Sequence, residues 1–168
     1  SRLPTSLFGL FRIFRNGSMA SNLYFPQIAD GINQDYSWKT TFFLVNRSST
    51  TASATLSFYG ENGSALQVNL QNINASRFTY ELPPSGTLSV STAPISDLRS
   101  GWAMLSSNVK IDGTAIFSLT DRAGKLISNV TVPASPELDS FSLLAELQPG
   151  TNTGYALANA GDASATVT

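Results

Sequence analysis

Apolar and polar residues alternate with a period of two along much of this chain. In ASATLSFY (52–59), Ala52, Ala54, Leu56 and Phe58 alternate with Ser53, Thr55, Ser57 and Tyr59. LQVNL places Leu66, Val68 and Leu70 on one face, and RFTYEL sets Phe78, Tyr80 and Leu82 against Arg77, Thr79 and Glu81. TLSVS contributes Leu88 and Val90. FSLLAEL sets Phe141, Leu143, Ala145 and Leu147 against Ser142, Leu144 and Glu146. Successive side chains of a strand point to opposite faces, so these runs predict strands buried on one side. WKTTFFLVN (38–46), GWAMLSS (101–107) and TAIFSL (114–119) are apolar on both faces and predict central or doubly covered strands.

Turn chemistry separates the runs. Glu61-Asn62-Gly63 suits a hairpin turn that needs positive φ. Asp112-Gly113, Asp121-Arg122-Ala123-Gly124 and Pro83-Pro84-Ser85-Gly86 read as further breaks. No stretch carries a capped apolar stripe at helical spacing. Short strands joined by polar turns predict an all-β fold, an antiparallel β-sandwich of immunoglobulin-like type.

The chain also repeats itself. Asn46 closes an apolar run and is followed by a polar loop and Ala-Ser-Ala-Thr at 52–55. Asn159 closes a second run, and Ala-Ser-Ala-Thr returns at 163–166 after a loop shorter by two residues. Leu44 then aligns with Leu157, and Leu56 with Val167. The expected organisation is an extended apolar N-terminal arm over 1–22, a sandwich over 23–150 and a C-terminal hairpin over 151–168 that begins a second unit. One hairpin cannot bury its apolar face alone.

Several motifs resemble a module of large secreted bacterial surface proteins. They are Phe-Pro-x-x-Ala-Asp-Gly at 25–31, the Trp-x-Thr strand ending in Val-Asn at 38–46, Pro-Pro-x-Gly at 83–86 and Gly-Thr-Ala-Ile-Phe at 113–117. The resemblance spans roughly residues 24–168. It implies a repeated, immunoglobulin-like β-sandwich, extracellular or on a bacterial cell surface, with no assigned catalytic residues.

Composition narrows the function. Only 12% of the 168 residues are charged, against about 25% in a typical soluble domain. Ser, Thr, Asn and Gly fill the deficit, which suits an extracellular surface or one packed against its own copies. Net charge is −1, so there is no general basic footprint for nucleic acid. The charge is uneven: Arg2, Arg12 and Arg15 face no acid within 1–22, while the remainder carries seven basic and eleven acidic residues. No apolar run reaches the roughly 20 residues of a membrane span. LFGLFRIF (7–14) precedes NGSMASN, whose Ser-Met-Ala resembles a small-residue cleavage site, but the run is short and broken by Arg12 and so a weak match to a signal peptide; the opening Ser1 fits a processed or trimmed product.

The catalytic toolkit is thin. Without Cys or His, thiolate nucleophiles, Cys/His zinc sites and His-based triads are excluded within these residues. The carboxylates scatter over turns and outward strand positions. Asp30, Asn33 and Asp35 alternate oxygen ligands but lack the full calcium-loop pattern. No enzyme, metal or cofactor is expected. Tyr24, Tyr36, Trp38, Tyr59 and Trp102 are candidates for a glycan platform, with Trp38 and Trp102 better read as core residues. Sequons at Asn16, Asn46, Asn62, Asn74 and Asn129 offer glycan acceptors.

The unfinished repeat and the apolar arm carry the functional signal. Leu7, Phe8, Leu10, Phe11, Ile13 and Phe14 crowd a short stretch that would aggregate if left free. Such a segment either adds a strand to its own domain, folds as a short amphipathic helix on the body, or is donated to a neighbour, whose sheet it then completes. Tyr155, Leu157, Ala165 and Val167 would do the same from the C-terminal side. The expected function is therefore an extracellular structural subunit, with copies of itself as partners, assembling head-to-tail into a filament or surface layer. The alternative is a monomeric adhesion or carbohydrate-binding module whose partner is a surface glycan.

Overall fold

A computed structural model describes residues 22–94, 97–142 and 154–167. The chain is all-β and antiparallel. Its ten strands are β1 (Leu23–Ile32), β2 (Tyr36–Asn46), β3 (Ala52–Gly60), β4 (Val68–Leu70), β5 (Ile73–Ala75), β6 (Arg77–Leu82), β7 (Thr87–Ser91), β8 (Arg99–Ser107), β9 (Ile111–Asp121) and β10 (Leu126–Pro133). Eight of them form one sheet in the order β10-β9-β2-β1-β8-β3-β6, with β7 also pairing β2. β4 and β5 make a separate small hairpin.

The sheet curls back on itself around an aromatic core. Phe42 of β2 packs edge-on against Phe25 of β1 at 5.1 Å and against Phe58 of β3 at 5.6 Å. Phe58 meets Phe78 of β6 at 6.0 Å. All four rings are buried, with Leu44, Leu56, Leu105, Ile111 and Ala115 around them. The alternation of β3 and β6 therefore points inward as its period predicts. β2, β8 and β9 occupy interior positions in the sheet, but their second faces are only partly covered. Phe43 and Val45 of β2 are 41% and 37% exposed.

β1 links the two regions of the sheet. It pairs with β8 up to Asp30, then with Trp38 and Ser37 of β2 through Gly31 and Ile32. A bulge between Phe25 and Ile28 takes up Pro26, which has no N–H to give a ladder. The switch itself needs glycine. Gly31 has φ 128°, and a Cβ there would lie 2.4 Å from the Asp97 carbonyl oxygen.

Two local expectations change. Asp112 and Gly113 lie inside β9 and form no turn. Gly113 is there for room: an added Cβ would come 2.8 Å from Phe25 Cζ. β10 has no counterpart among the expected strands, because the adjacent pairs Leu126-Ile127 and Ser128-Asn129 break the alternation of LISNVTVP and most of its residues are exposed. The turns at 121–124 and 83–86 form as read, with Gly124 at φ 79° and Ser85 at φ 57°. The donor-arm residues Leu7 to Phe14 and the sequon at Asn16 lie outside the described residues. So does most of FSLLAEL, whose first two residues are not in a strand.

Candidate assembly surfaces

Three surfaces present themselves: the sheet edges, the C-terminal segment and an aromatic outer face.

β6 and β10 end the sheet path, so their far sides are unpaired by any strand among the described residues. The two edges differ in chemistry. β6 carries Arg77 and Glu81, both exposed, and charge on an edge discourages addition of another strand. β10 carries no charge over eight residues. Its inward Val130 and Val132 pack on the core, while Asn129 and Thr131 are exposed. Only a bulge between Leu126 and Ser128, and Pro133 at the end, interrupt it.

The C-terminal segment is organised around Asn159. Gly161 N–H donates to its Oδ1 at 3.0 Å, and its Nδ2 donates to the Ala163 carbonyl at 2.7 Å. Residues 159–163 thus form a closed turn, and none of the described residues 154–167 is in a strand. Tyr155, Leu157 and Val167 are 71%, 48% and 64% exposed, and Ala165 is exposed as well.

Asn46 shows what a completed version looks like. It is fully buried, and its Oδ1 accepts from Ser48 N–H at 2.9 Å and Ser48 Oγ at 2.8 Å. Its Nδ2 donates to the carbonyls of Thr50 (2.7 Å), Leu82 (3.0 Å) and Pro83 (3.0 Å). The side chain thereby ties the β2–β3 loop to the β6–β7 turn. Inside that clamp the amide nitrogen is not open to a glycan. Asn62, Asn74 and Asn129 are exposed.

The candidate aromatics divide. Trp38 packs against the core, and Tyr36 is 39% exposed. Trp102, expected inside, is half-buried. It stacks on Tyr59 at 4.2 Å and 16°, with Tyr24 6.3 Å away. Beside it a cleft of about 690 Å³ runs between Gln27, Glu61 and Ser100 and the segment bearing Tyr155, Leu157 and Asp162.

Sequence reasoning missed one buried ion pair. Asp30, read as a turn or surface carboxylate, is 1% exposed in β1, and its Oδ2 accepts from Arg99 Nη2 at 3.1 Å. Arg99 Nη1 also donates to the Gln67 carbonyl at 2.6 Å. Burial pushes the Asp30 carboxyl above its ordinary pKa, with Thr92 and Arg99 pulling the other way. Nearby, Thr40 Oγ1 donates to the Ala29 carbonyl at 2.7 Å, and Thr40 N–H donates to Thr92 Oγ1 at 3.1 Å. This polar seam fills the gap where β2 changes neighbour from β1 to β7, a structural task. Asn33 Oδ1 accepts from the N–H groups of Asp35 and Tyr36, so it shapes a turn.

The chain matches no protein-family model, no curated protein and no solved structure.

Proposed function

We propose that this chain is a structural building block, an immunoglobulin-like β-sandwich of the bacterial cell surface or extracellular space that joins head-to-tail to copies of itself. The donor is the N-terminal arm, through Leu7, Phe8, Leu10, Phe11, Ile13 and Phe14. The acceptor is the outer edge of β10. One observation carries the reading: β10 is an eight-residue edge strand without a charge, whereas the opposite edge is guarded by Arg77 and Glu81. An open ladder edge and an apolar strand are the two halves of strand addition. The basic arm and the acidic remainder favour their encounter.

Light scattering and electron microscopy of the full chain test this. Deleting residues 1–20, or placing lysines at Asn129 and Thr131, removes the assemblies. Both positions are exposed, so the fold survives the lysines. Assemblies that persist in both variants overturn the reading.

A second reading, a glycan-binding module, is favoured by the Tyr59–Trp102 stack beside a cleft with Glu61, Gln27 and Ser100. A stacked ring gives a sugar face an apolar platform, and the polar groups can meet its hydroxyls. Glycan-array binding by the monomeric Δ1–20 chain, lost in Trp102→Ala, would select it.

A further inference from the structure

The geometry points to residues 154–167 as the opening β2–loop–β3 unit of a second module, preformed around Asn159. It also points to the partner that unit takes: a strand–turn–strand segment built like Arg77–Ser91. The argument rests on two loops closed in the same way. At Asn46, Oδ1 accepts the N–H two residues on, and Nδ2 donates to the carbonyl four residues on. At Asn159 the same offsets recur, with Gly161 and Ala163 in those places. The other asparagine turns described here, at Asn33 and Asn62, use the Oδ1 half alone. The Asn159 loop is two residues shorter in its alignment with Ala-Ser-Ala-Thr, yet it closes at the same distance along the chain.

The two loops differ in what lies across from them. Asn46 Nδ2 also reaches the Leu82 and Pro83 carbonyls at the β6–β7 turn. Leu44, two residues before it, is buried. Among the described residues no such turn meets the second Nδ2 proton of Asn159, and Leu157, the equivalent of Leu44, is 48% exposed. Among the described residues, none offers backbone carbonyls to the second Asn159 Nδ2 proton or an apolar strand to Leu157 and Val167. In this chain a segment with both properties is RFTYELPPSGTLSVS, which presents those carbonyls to Asn46 and buries Phe78, Leu82 and Val90. The partner is thus polypeptide of that pattern, and its recognition is strand pairing plus one side-chain clamp. This assignment does not depend on assembly through the arm.

The test extends the full chain after Thr168 with a second copy of residues 58–135 and follows unfolding by calorimetry. The expected result is a second cooperative transition. Asn159→Ala lowers that transition by about 10 °C and leaves the first in place. Asn46→Ala does the reverse. A second transition that Asn159→Ala does not move overturns the assignment. If the extension yields no second transition, a titration decides. A synthetic peptide of residues 77–92 is added to the isotope-labelled full chain. Amide shifts confined to residues 155–167, and abolished by Asn159→Ala, sustain the assignment. Their absence overturns it.

Discussion

Replacing Asn46 by alanine removes every hydrogen bond of its side chain from a position that is 0% exposed. The Leu82 carbonyl, opposite Ala52 in the β3–β6 ladder, loses a buried side-chain donor, which costs about 1.5 kcal/mol, the upper end for one net hydrogen bond. The Ser48 N–H and the Thr50 and Pro83 carbonyls lie nearer solvent, so water replaces much of what they lose. Each of those contributes about 0.5 kcal/mol. The sum is about 3 kcal/mol, or roughly 10 °C in melting temperature for a domain of this size. Urea unfolding followed by tryptophan fluorescence reads it directly, since Trp38 packs on the core. Asn46→Asp sharpens the test by turning one donor nitrogen into an oxygen that faces three carbonyls. Burial and those lone pairs raise the folded pKa of the introduced carboxyl above its unfolded value. Its penalty is therefore full at neutral pH and eases as pH falls through the folded pKa. A loss under about 1 kcal/mol for Asn46→Ala would refute the clamp. So would an equal loss for Asn159→Ala in the unextended chain, because the Asn159 loop touches no β6–β7 turn.

Gly113→Ala drives a methyl to 2.8 Å from Phe25 Cζ, and overpacking costs about 1–3 kcal/mol in urea unfolding. Phe25→Leu in the same chain recovers part of that loss, and strict additivity would refute the steric account. Burial holds the folded pKa of Asp30 above the ordinary carboxylate value, so its ionised form weakens the fold at neutral pH. Relative to Asp30→Asn, the parent gains stability as pH falls from 7 through the raised folded pKa, levelling near the unfolded value; a constant difference would show no shift. Trp102→Ala removes the stack on Tyr59, worth about 0.5–1.5 kcal/mol beyond buried area, and a change in urea midpoint too small to resolve would mean the rings merely lie near each other.

Strand positions were legible where one face is buried and the other wet. ASATLSFY and RFTYEL are such strands, and their periods name the inward side chains correctly. Legibility failed where a residue's role depends on something distant along the chain. Asp112-Gly113 has the chemistry of a turn, yet Phe25 from β1 needs the empty space at Gly113. Trp102 has the bulk of a core residue, yet Ala103 and Leu105 take the inward positions of β8 and leave it outside. Asp30 looks like a loop carboxylate until Arg99, 69 residues later, is placed against it. β10 was invisible because an edge strand needs little hydrophobic alternation when its neighbour β9 supplies the ladder.

The asparagines show where the boundary between local and distant information falls. An Asn followed by a polar loop is read easily as a repeat anchor, and equally easily as a glycan acceptor. The loop's own hydrogen bonds are local, so they form alike at Asn46 and Asn159 in different surroundings. The acceptors that distinguish the two come from residues 82 and 83, which no local pattern around Asn46 announces. Glycosylation and clamping compete for the same Nδ2, and burial decides between them at Asn46. At Asn159 no described residue takes that second bonding position, and local closure already holds the amide in place. A loop that organises before its partner arrives lowers the entropy lost on docking. Repetition of the loop therefore carries a physical advantage that repetition of an apolar pattern alone would not.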